Sequence, residues 1–480
     1  MKVLVVATNR ERSPFPVAPL GALAVAASAR RSGFAVDVVD LSVARSAVRV
    51  LRGALRGTAH DVVAFSIRNL DNCFHARPQS YFPDVAQLAG EVRSLTDAPL
   101  VLGGSGFSVA PYGWLRRVDA DFGVIGEGER TFTALLKHLE AGDRRPLPAG
   151  VIMRDAPTDA SDETCSQLVE DLDDLPPPSH DECNYTRHIK LGGFVCVQTK
   201  RGCPCKCIYC VYPNLEGAAF RLRNPEAVVD EIESVIVRSG VHWFFFSDSV
   251  FNMPKWHALE VCRRLADRRV PVRWMAYCNP VGFDDELARA MAAAGCAGVE
   301  FGLDAAVEKM LSSLGKPFTQ ADIHSALTAA AKADLPFAVH LLFGGPTEAA
   351  ADVAETQRFL DACPRANAVF ASVGLRVYKN TPLEGVARRE GALAASDDLF
   401  EPAFYVAPGL GESPLAVVDD VARRRPEWSS PADWMKLSLR AIRGVMNRLG
   451  QRPQWKNARN YGMYVRKQRK VPHVDRVPAR

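Results

Sequence analysis

The sequence predicts an α/β protein in two parts. A doubly wound parallel sheet spans residues 1–150. A partial, TIM-like (β/α)6 barrel spans 191–390, and a helical region with a basic tail follows over 391–480. Three observations predict this. Short β-branched runs alternate with helical patterns along most of the chain, as in βαβ units. An acidic, proline-ended stretch interrupts that alternation over 151–190. The alternation decays after about residue 390.

In the first part, KVLVVAT, FAVDVVDL, HDVVAFSI, PLVLGG and DFGVIGE read as buried parallel strands. LGALAVAASARRSG, closed by Gly33, and DVAQLAGEVRSLT read as helices between them. Such a sheet binds its ligand beyond the carboxyl ends of its strands. VIMRD reads as a stray strand, and DETCSQLVEDLDDLPPPSH reads as a semi-rigid linker. The second part offers six strands: FVCVQTKR, VHWFFFSD, VRWMAY, GVEFGL, FAVHLLFG and VFASVGLRVY. Helical stretches such as EAVVDEIESVIVRSG separate them, so function is expected at the strands' C-terminal ends. ADWMKLSLRAIRGVMNRLG is expected to pack on the barrel as a helix.

The chain has 480 residues, 48% hydrophobic and 24% charged, so it can bury a core without disulfides. The net charge of +4 is too small to argue for nucleic acid. The tail from Arg452 to Arg480 is basic and reads as a solvated segment rather than a polyanion site. No run approaches the ~18 apolar residues of a membrane helix, and VLVVAT ends too soon for a signal peptide. The expectation is a cytoplasmic protein with reduced thiols, in which clustered cysteines mean metal or catalysis.

TKRGCPCKCIYC, residues 199–210, follows the first barrel strand. Cys203, Cys207 and Cys210 are spaced CxxxCxxC. Thiolates hold iron–sulfur clusters, normally one for each iron, so three would leave one iron of a 4Fe-4S cube open. Cys205 could supply a fourth sulfur, but CPC and CKC are too tight for a zinc knuckle and no paired CxxC follows.

RGCPCKCIYC, with Tyr209 before its last cysteine, resembles the signature of radical S-adenosylmethionine (SAM) enzymes. The resemblance implies a 4Fe-4S cluster on Cys203, Cys207 and Cys210, with SAM chelating the open iron. It also implies cleavage of SAM to a 5′-deoxyadenosyl radical by one electron, delivered by a donor such as flavodoxin or ferredoxin. Cys205 falls at a variable position and reads as a free loop thiol. FSDSVFN sits where the family holds the SAM amino group, which makes Asp248 a candidate beside a plain helix N-cap. FGLDAAVEKM resembles the fourth-strand segment, with Asp304 in place of the usual Glu. Glu300 on that strand is the alternative, pointing into the barrel and needing a partner. LLFGGPTE resembles the fifth-strand segment, with Gly345, Pro346 and Glu348. GLRVYKNTPLEG resembles the sixth, with Arg376 and Tyr378 as a polar pair and Lys379 and Asn380 departing from the family pattern.

The N-terminal domain and its short linker resemble the cobalamin-binding subclass of that family. LVLGGSGFS, with Gly103, Gly104, Ser105 and Gly106, resembles a segment lining the nucleotide tail of cobalamin. VIGEGERTF, with Gly126, Glu127 and Gly128, resembles another. Glycines there would let a ligand approach backbone. The Asp-x-His-x-x-Gly motif that supplies a lower cobalt ligand is absent. The loop after the third strand reads SIRNLDNCFHARPQSYF instead. Arg68 and Asn69 are expected at the corrin rim or a lower-face water. A local Arg68–Asp71 salt bridge is the competing reading, and His75 is a ligand candidate at the wrong spacing.

The resemblance, over most of residues 1–390, implies a cobalamin-dependent radical SAM methyltransferase. Such an enzyme methylates a carbon of a small, natural-product-like substrate held in a dry cavity between the domains. Rearrangement or cyclisation with the same cofactors is the alternative. A methylthiotransferase is set aside, because Cys73 is the one cysteine in the first 150 residues. A non-enzymatic iron–sulfur or zinc module is the last rival. Cys262, Cys278, Cys296 and Cys363 read as core residues, as does Cys196, and HWFFF reads as core rather than substrate platform.

Overall fold

The computed structural model describes residues 1–142, 146–154, 167–429 and 452–458. The helix expected over 432–450 and the basic tail past 458 lie outside the described residues.

The first sheet contains β1 (Lys2–Ala7), β2 (Ala35–Asp40), β3 (Val62–Ser66), β4 (Leu100–Gly103), β5 (Phe122–Val124) and β6 (Val151–Met153). Its order is β2-β1-β3-β4-β5-β6, and β1 to β5 are parallel. The apolar runs are continuous because both faces are covered. Leu4, Val6, Val63 and Phe65 pack to one side, whereas Val3, Val5, Val62 and Ala64 pack to the other. Chain order reverses between β1 and β3, where a doubly wound sheet opens a ligand crevice. VIMRD is not stray: β6 closes the sheet edge antiparallel to β5.

The second sheet contains β7 (Val195–Val197), β8 (Trp243–Phe246), β9 (Arg273–Cys278), β10 (Cys296–Asp304), β11 (Phe337–Phe343), β12 (Ala368–Val373) and β13 (Trp428–Ser429). All neighbours are parallel and follow chain order, as in an open barrel. The two-residue β13 is a seventh strand that the pattern did not signal. The intervening helices begin and end where local chemistry dictates. Asn224 accepts a hydrogen bond from the Glu226 amide at 2.9 Å to start Pro225–Ser239, and Gly240 ends that helix in the left-handed region. Thr319 and Asp322 form a reciprocal cap on Gln320–Lys332.

Alternate residues of the barrel strands divide between two environments. Phe244, Phe246 and Trp274 pack outward under the helices. Phe245 and Met275 face inward with Phe194 and Trp455. Trp455, from near the chain's end, lies on Gly298, where a Cβ would stand 2.6 Å from the indole. The linker packs tightly: Ser179 N–H donates to Leu23 O, and His188 pairs with Asp40 at 2.7 Å. Among the described residues, no helix is long and apolar enough to cross a membrane.

Candidate active site

The carboxyl ends of both sheets enclose a cavity of about 1110 Å³. A cleft of about 320 Å³ lies beside it, between the first helix, the ends of β4 and β5 and the linker prolines. Arg68, Cys196, Tyr212 and Ser247 line both, so the two spaces meet. Cys196 therefore faces the cavities rather than sitting wholly in core packing.

The cysteine loop leaves β7 through a short ribbon in which Lys200–Arg201 pairs with Arg221–Leu222. Cys203 N–H donates to Gly217 O at 3.0 Å, and Ile208 N–H donates to Leu314 O at 3.1 Å. Cys203, Cys205, Cys207 and Cys210 all line the cavity. A hydrogen bond from Cys205 draws the Cys203 thiol down to about 7, whereas burial pushes Cys210 up to about 12. Among the described residues, the one trio of ligand atoms lying within 4.8 Å of one another is Asp40, at the end of β2, with Cys183 and His188 of the linker. The four thiols share one cavity wall, which suits a cysteine-ligated iron–sulfur cluster. Tyr209 donates its hydroxyl hydrogen to Asp304 and accepts from Lys316 at 3.1 Å. Lys316 also pairs with Asp304. Burial works against the ammonium charge, but Asp304 and Cys207 outweigh it and hold Lys316 protonated beside the thiols.

Across the cavity, Arg68 extends from the loop after β3. Asn69 reaches back to it, with its amide oxygen 3.3 Å from Arg68 Nη1, and Ser105 Oγ donates to Arg68 O at 2.7 Å. Deeper in the barrel, Glu300 is buried. One carboxylate oxygen accepts from Trp455 Nε1 at 2.8 Å, and the other lies 2.8 Å from His340 Nε2. Its charge, followed by burial, pushes the Tyr277 hydroxyl far up.

Residues 7–136 match the B12 binding domain model, and residues 197–360 match the radical SAM superfamily model. The chain thus carries a B12-binding domain followed by a radical SAM domain. Its two domains imply a 4Fe-4S cluster, SAM and cobalamin. The thiol set, the open cavity and the adjoining cleft fit these groups. The protein is 29% identical over 353 residues to a tryptophan 2-C-methyltransferase of Streptomyces laurentii, covering 62% of this chain and 59% of that one. It is 28% identical over 262 residues to an uncharacterized methyltransferase of Pyrococcus horikoshii, covering 54% and 57%. It thus spans under two thirds of either relative. The radical SAM methyltransferase TsrM of Kitasatospora setae, solved with cobalamin and a 4Fe-4S cluster, shares the fold. The TM-score is 0.82 at 24% identity, over 97% of this chain and 99% of that one.

Several expected site residues have other duties. Asp248 caps no helix and offers no free oxygen. It accepts from Thr199 N–H at 2.7 Å, Thr199 Oγ1 at 2.6 Å and the buried Lys200 ammonium at 3.3 Å. Gly345 and Pro346 line neither cavity. They form a turn gripped by Glu348, which accepts from the amides of Gly344 and Gly345. Arg376 also lines neither cavity. It is buried against Asp71 at 2.7 Å, so Asp71 belongs to the seam between the domains and not to Arg68. Tyr378 lies under Arg376 and shares a hydrogen bond with Cys73 at 2.9 Å. His75 packs on Phe404, away from the cavity. Glu127 lines the cleft, but its carboxylate is held by Arg221 at 2.7 Å and Arg201 at 3.4 Å.

Gly103, Gly104, Ser105, Gly126 and Gly128 do line the cleft. The tightest glycine constraints here come from protein rather than ligand. A Cβ on Gly104 would lie 2.6 Å from Ile67 O, and one on Gly106 would lie 2.6 Å from Asn69 carbonyl carbon. Sequence reasoning missed His340, Trp455, Lys316 and Arg201. The basic residues beside the cysteine motif and the histidine in the apolar run FAVHLLF were the available signals.

Proposed function

We propose that this protein is a cobalamin-dependent radical SAM methyltransferase acting on a carbon of a small aromatic molecule. The observation that carries this reading is the meeting of the two spaces. The thiol loop and the cleft of the B12-binding domain open into one chamber through Arg68, Cys196, Tyr212 and Ser247. The relatives named for methyl transfer favour this over rearrangement or cyclisation, and the tryptophan enzyme supports an aromatic substrate.

When bound, the cluster and SAM supply one-electron chemistry and cobalamin carries the methyl group. In this reading Cys203, Cys207 and Cys210 hold the cluster, and Lys316 offsets thiolate charge beside it. Gly103 to Ser105 and Gly126 to Gly128 wall the nucleotide-tail cleft. Arg68, tied to Asn69, would contact the corrin where no histidine is offered. Asp248 and Arg376 act as positioning residues that fix the loops around the chamber. Phe194, Phe245 and Phe370 exclude water from it. The assembly works with a small reducing protein, in the cytoplasm, where the free cysteines stay reduced. Residues 1–150 serve as the cobalamin domain, 151–190 as the linker, 191–390 as the catalytic barrel and 391–480 as its C-terminal cover.

The test is anaerobic purification with hydroxocobalamin, then iron, sulfide and cobalt quantitation and product mass analysis. About four irons with near-stoichiometric cobalt, and a substrate heavier by one methyl group, support the reading. Iron without cobalt refutes it.

A further inference from the structure

The chamber contains a partly buried polar pair with an unused end. His340 on β11 places Nε2 at 2.8 Å from Glu300 Oε2. A carboxylate only accepts, so the ring's hydrogen sits on Nε2, and in the neutral ring Nδ1 keeps its lone pair. Glu300 is itself immobilised by Trp455 at 2.8 Å. The imidazole is clamped as well. It lies against Phe370 at 4.9 Å between centroids and 35° between planes, and edge-on to Tyr277 at 5.8 Å. Its side chain keeps 31% exposure, and that exposure opens into the 1110 Å³ cavity. Nothing among the described residues bonds Nδ1. The cavity wall it faces carries Phe194, Phe245, Met275, Phe370 and Trp455 beside the polar Tyr277, Ser372 and Gln454.

A fixed acceptor set in such a wall suits a flat ring whose edge carries a hydrogen-bond donor. We propose that Nδ1 of His340 is the substrate-orienting acceptor, and that the substrate class is an aromatic or heteroaromatic ring bearing N–H or O–H. The proposal rests on the reading that the chamber holds the methyl acceptor, and it adds the residue and the donor that fix its orientation. Glu300 and Trp455 are positioning residues for that contact. A ring lacking the donor would desolvate Nδ1 without replacing the lost hydrogen bond, which is how polar sites reject isosteres.

The test uses the protein loaded with cluster and cobalamin, without reductant, so that no turnover occurs. Equilibrium dialysis compares indole with 1-methylindole, and phenol with anisole. The donor-bearing ring of each pair should bind tighter, by roughly fivefold for one neutral hydrogen bond. In His340→Phe both preferences should vanish while the donor-free rings keep their affinity. In Trp455→Phe the preferences should shrink without vanishing, because Glu300 loses the indole that anchors it but still pairs with His340. Equal binding within both pairs by the unmodified protein overturns the proposal, whether or not the variant folds. So does a preference that survives in His340→Phe. Failure of the methyltransferase reading shows elsewhere, in the cobalt content and product mass of the unmodified protein.

Discussion

Arg201 precedes the cysteine loop by one glycine and reaches across the seam into the B12-binding domain. Its guanidinium lies 2.5 Å from Glu129 and 3.4 Å from Glu127, and the side chains are 14%, 5% and 6% exposed. Arg201→Met keeps the stem and removes the charge. Glu129 is then stranded, whereas Glu127 keeps Arg221 at 2.7 Å. Breaking a buried pair from one side costs about 3–5 kcal/mol, because the remaining charge stays desolvated. Glu129→Gln should cost less, since Arg201 retains Glu127. The double variant strands no carboxylate at that position. Its cost should fall short of the summed single costs by about 2 kcal/mol, within the range for contacting charges. Urea unfolding of all four forms, followed by tryptophan fluorescence and cobalamin absorbance together, measures this. Both signals should move to lower urea in Arg201→Met, because the pair joins the two domains. Costs that add within about 0.5 kcal/mol, or an unchanged Arg201→Met midpoint, would refute the argument.

Other outcomes follow from the same geometry. Cys203→Ala should abolish iron binding and Cys205→Ala should retain it, read by iron and sulfide content. Gly106→Ala forces a Cβ to within 2.6 Å of Asn69 backbone and should weaken cobalamin retention in dialysis while leaving iron content unchanged. Burial pushes Glu348 up to about 7 from the ordinary 4.5, so the fold favours its protonated form. That stabilisation is complete below the unfolded value and is lost as pH rises through about 7. Its size is on the order of 3 kcal/mol, and Glu348→Gln should flatten stability measured between pH 4.5 and 7. Glu127 behaves oppositely. Burial works against its charge, but Arg221 and Arg201 prevail and lower its pKa. Its contribution is present above the ordinary carboxylate range and lost in acid, so cobalamin should be released as pH falls below about 4. Retention unchanged down to pH 3 would count against it.

Both sheets were legible in the sequence because parallel strands covered on both faces read as continuous apolar runs. The thiol loop was legible because its residues are neighbours in the chain. Partnership was not. Asp248 looked free because Thr199 lies 49 residues away, and Arg376 looked like a pocket residue because Asp71 is 305 residues distant. The sequence did show that a carboxylate at Glu300 needed a partner. It could not show that the partners were His340, 40 residues on, and Trp455, 155 residues on. β13 is two residues long, too short for periodicity to register, whereas β6 showed as a strand whose three residues could not reveal which sheet it joins.

The position of Trp455 also bears on how the molecule is made. Its indole covers Gly298 at the floor of the barrel and anchors Glu300, yet it is synthesised long after every strand up to β12. On the ribosome the thiol loop and the inner barrel wall emerge first, with the floor open. The finished cavity awaits a segment that lies 155 residues beyond the carboxylate it anchors.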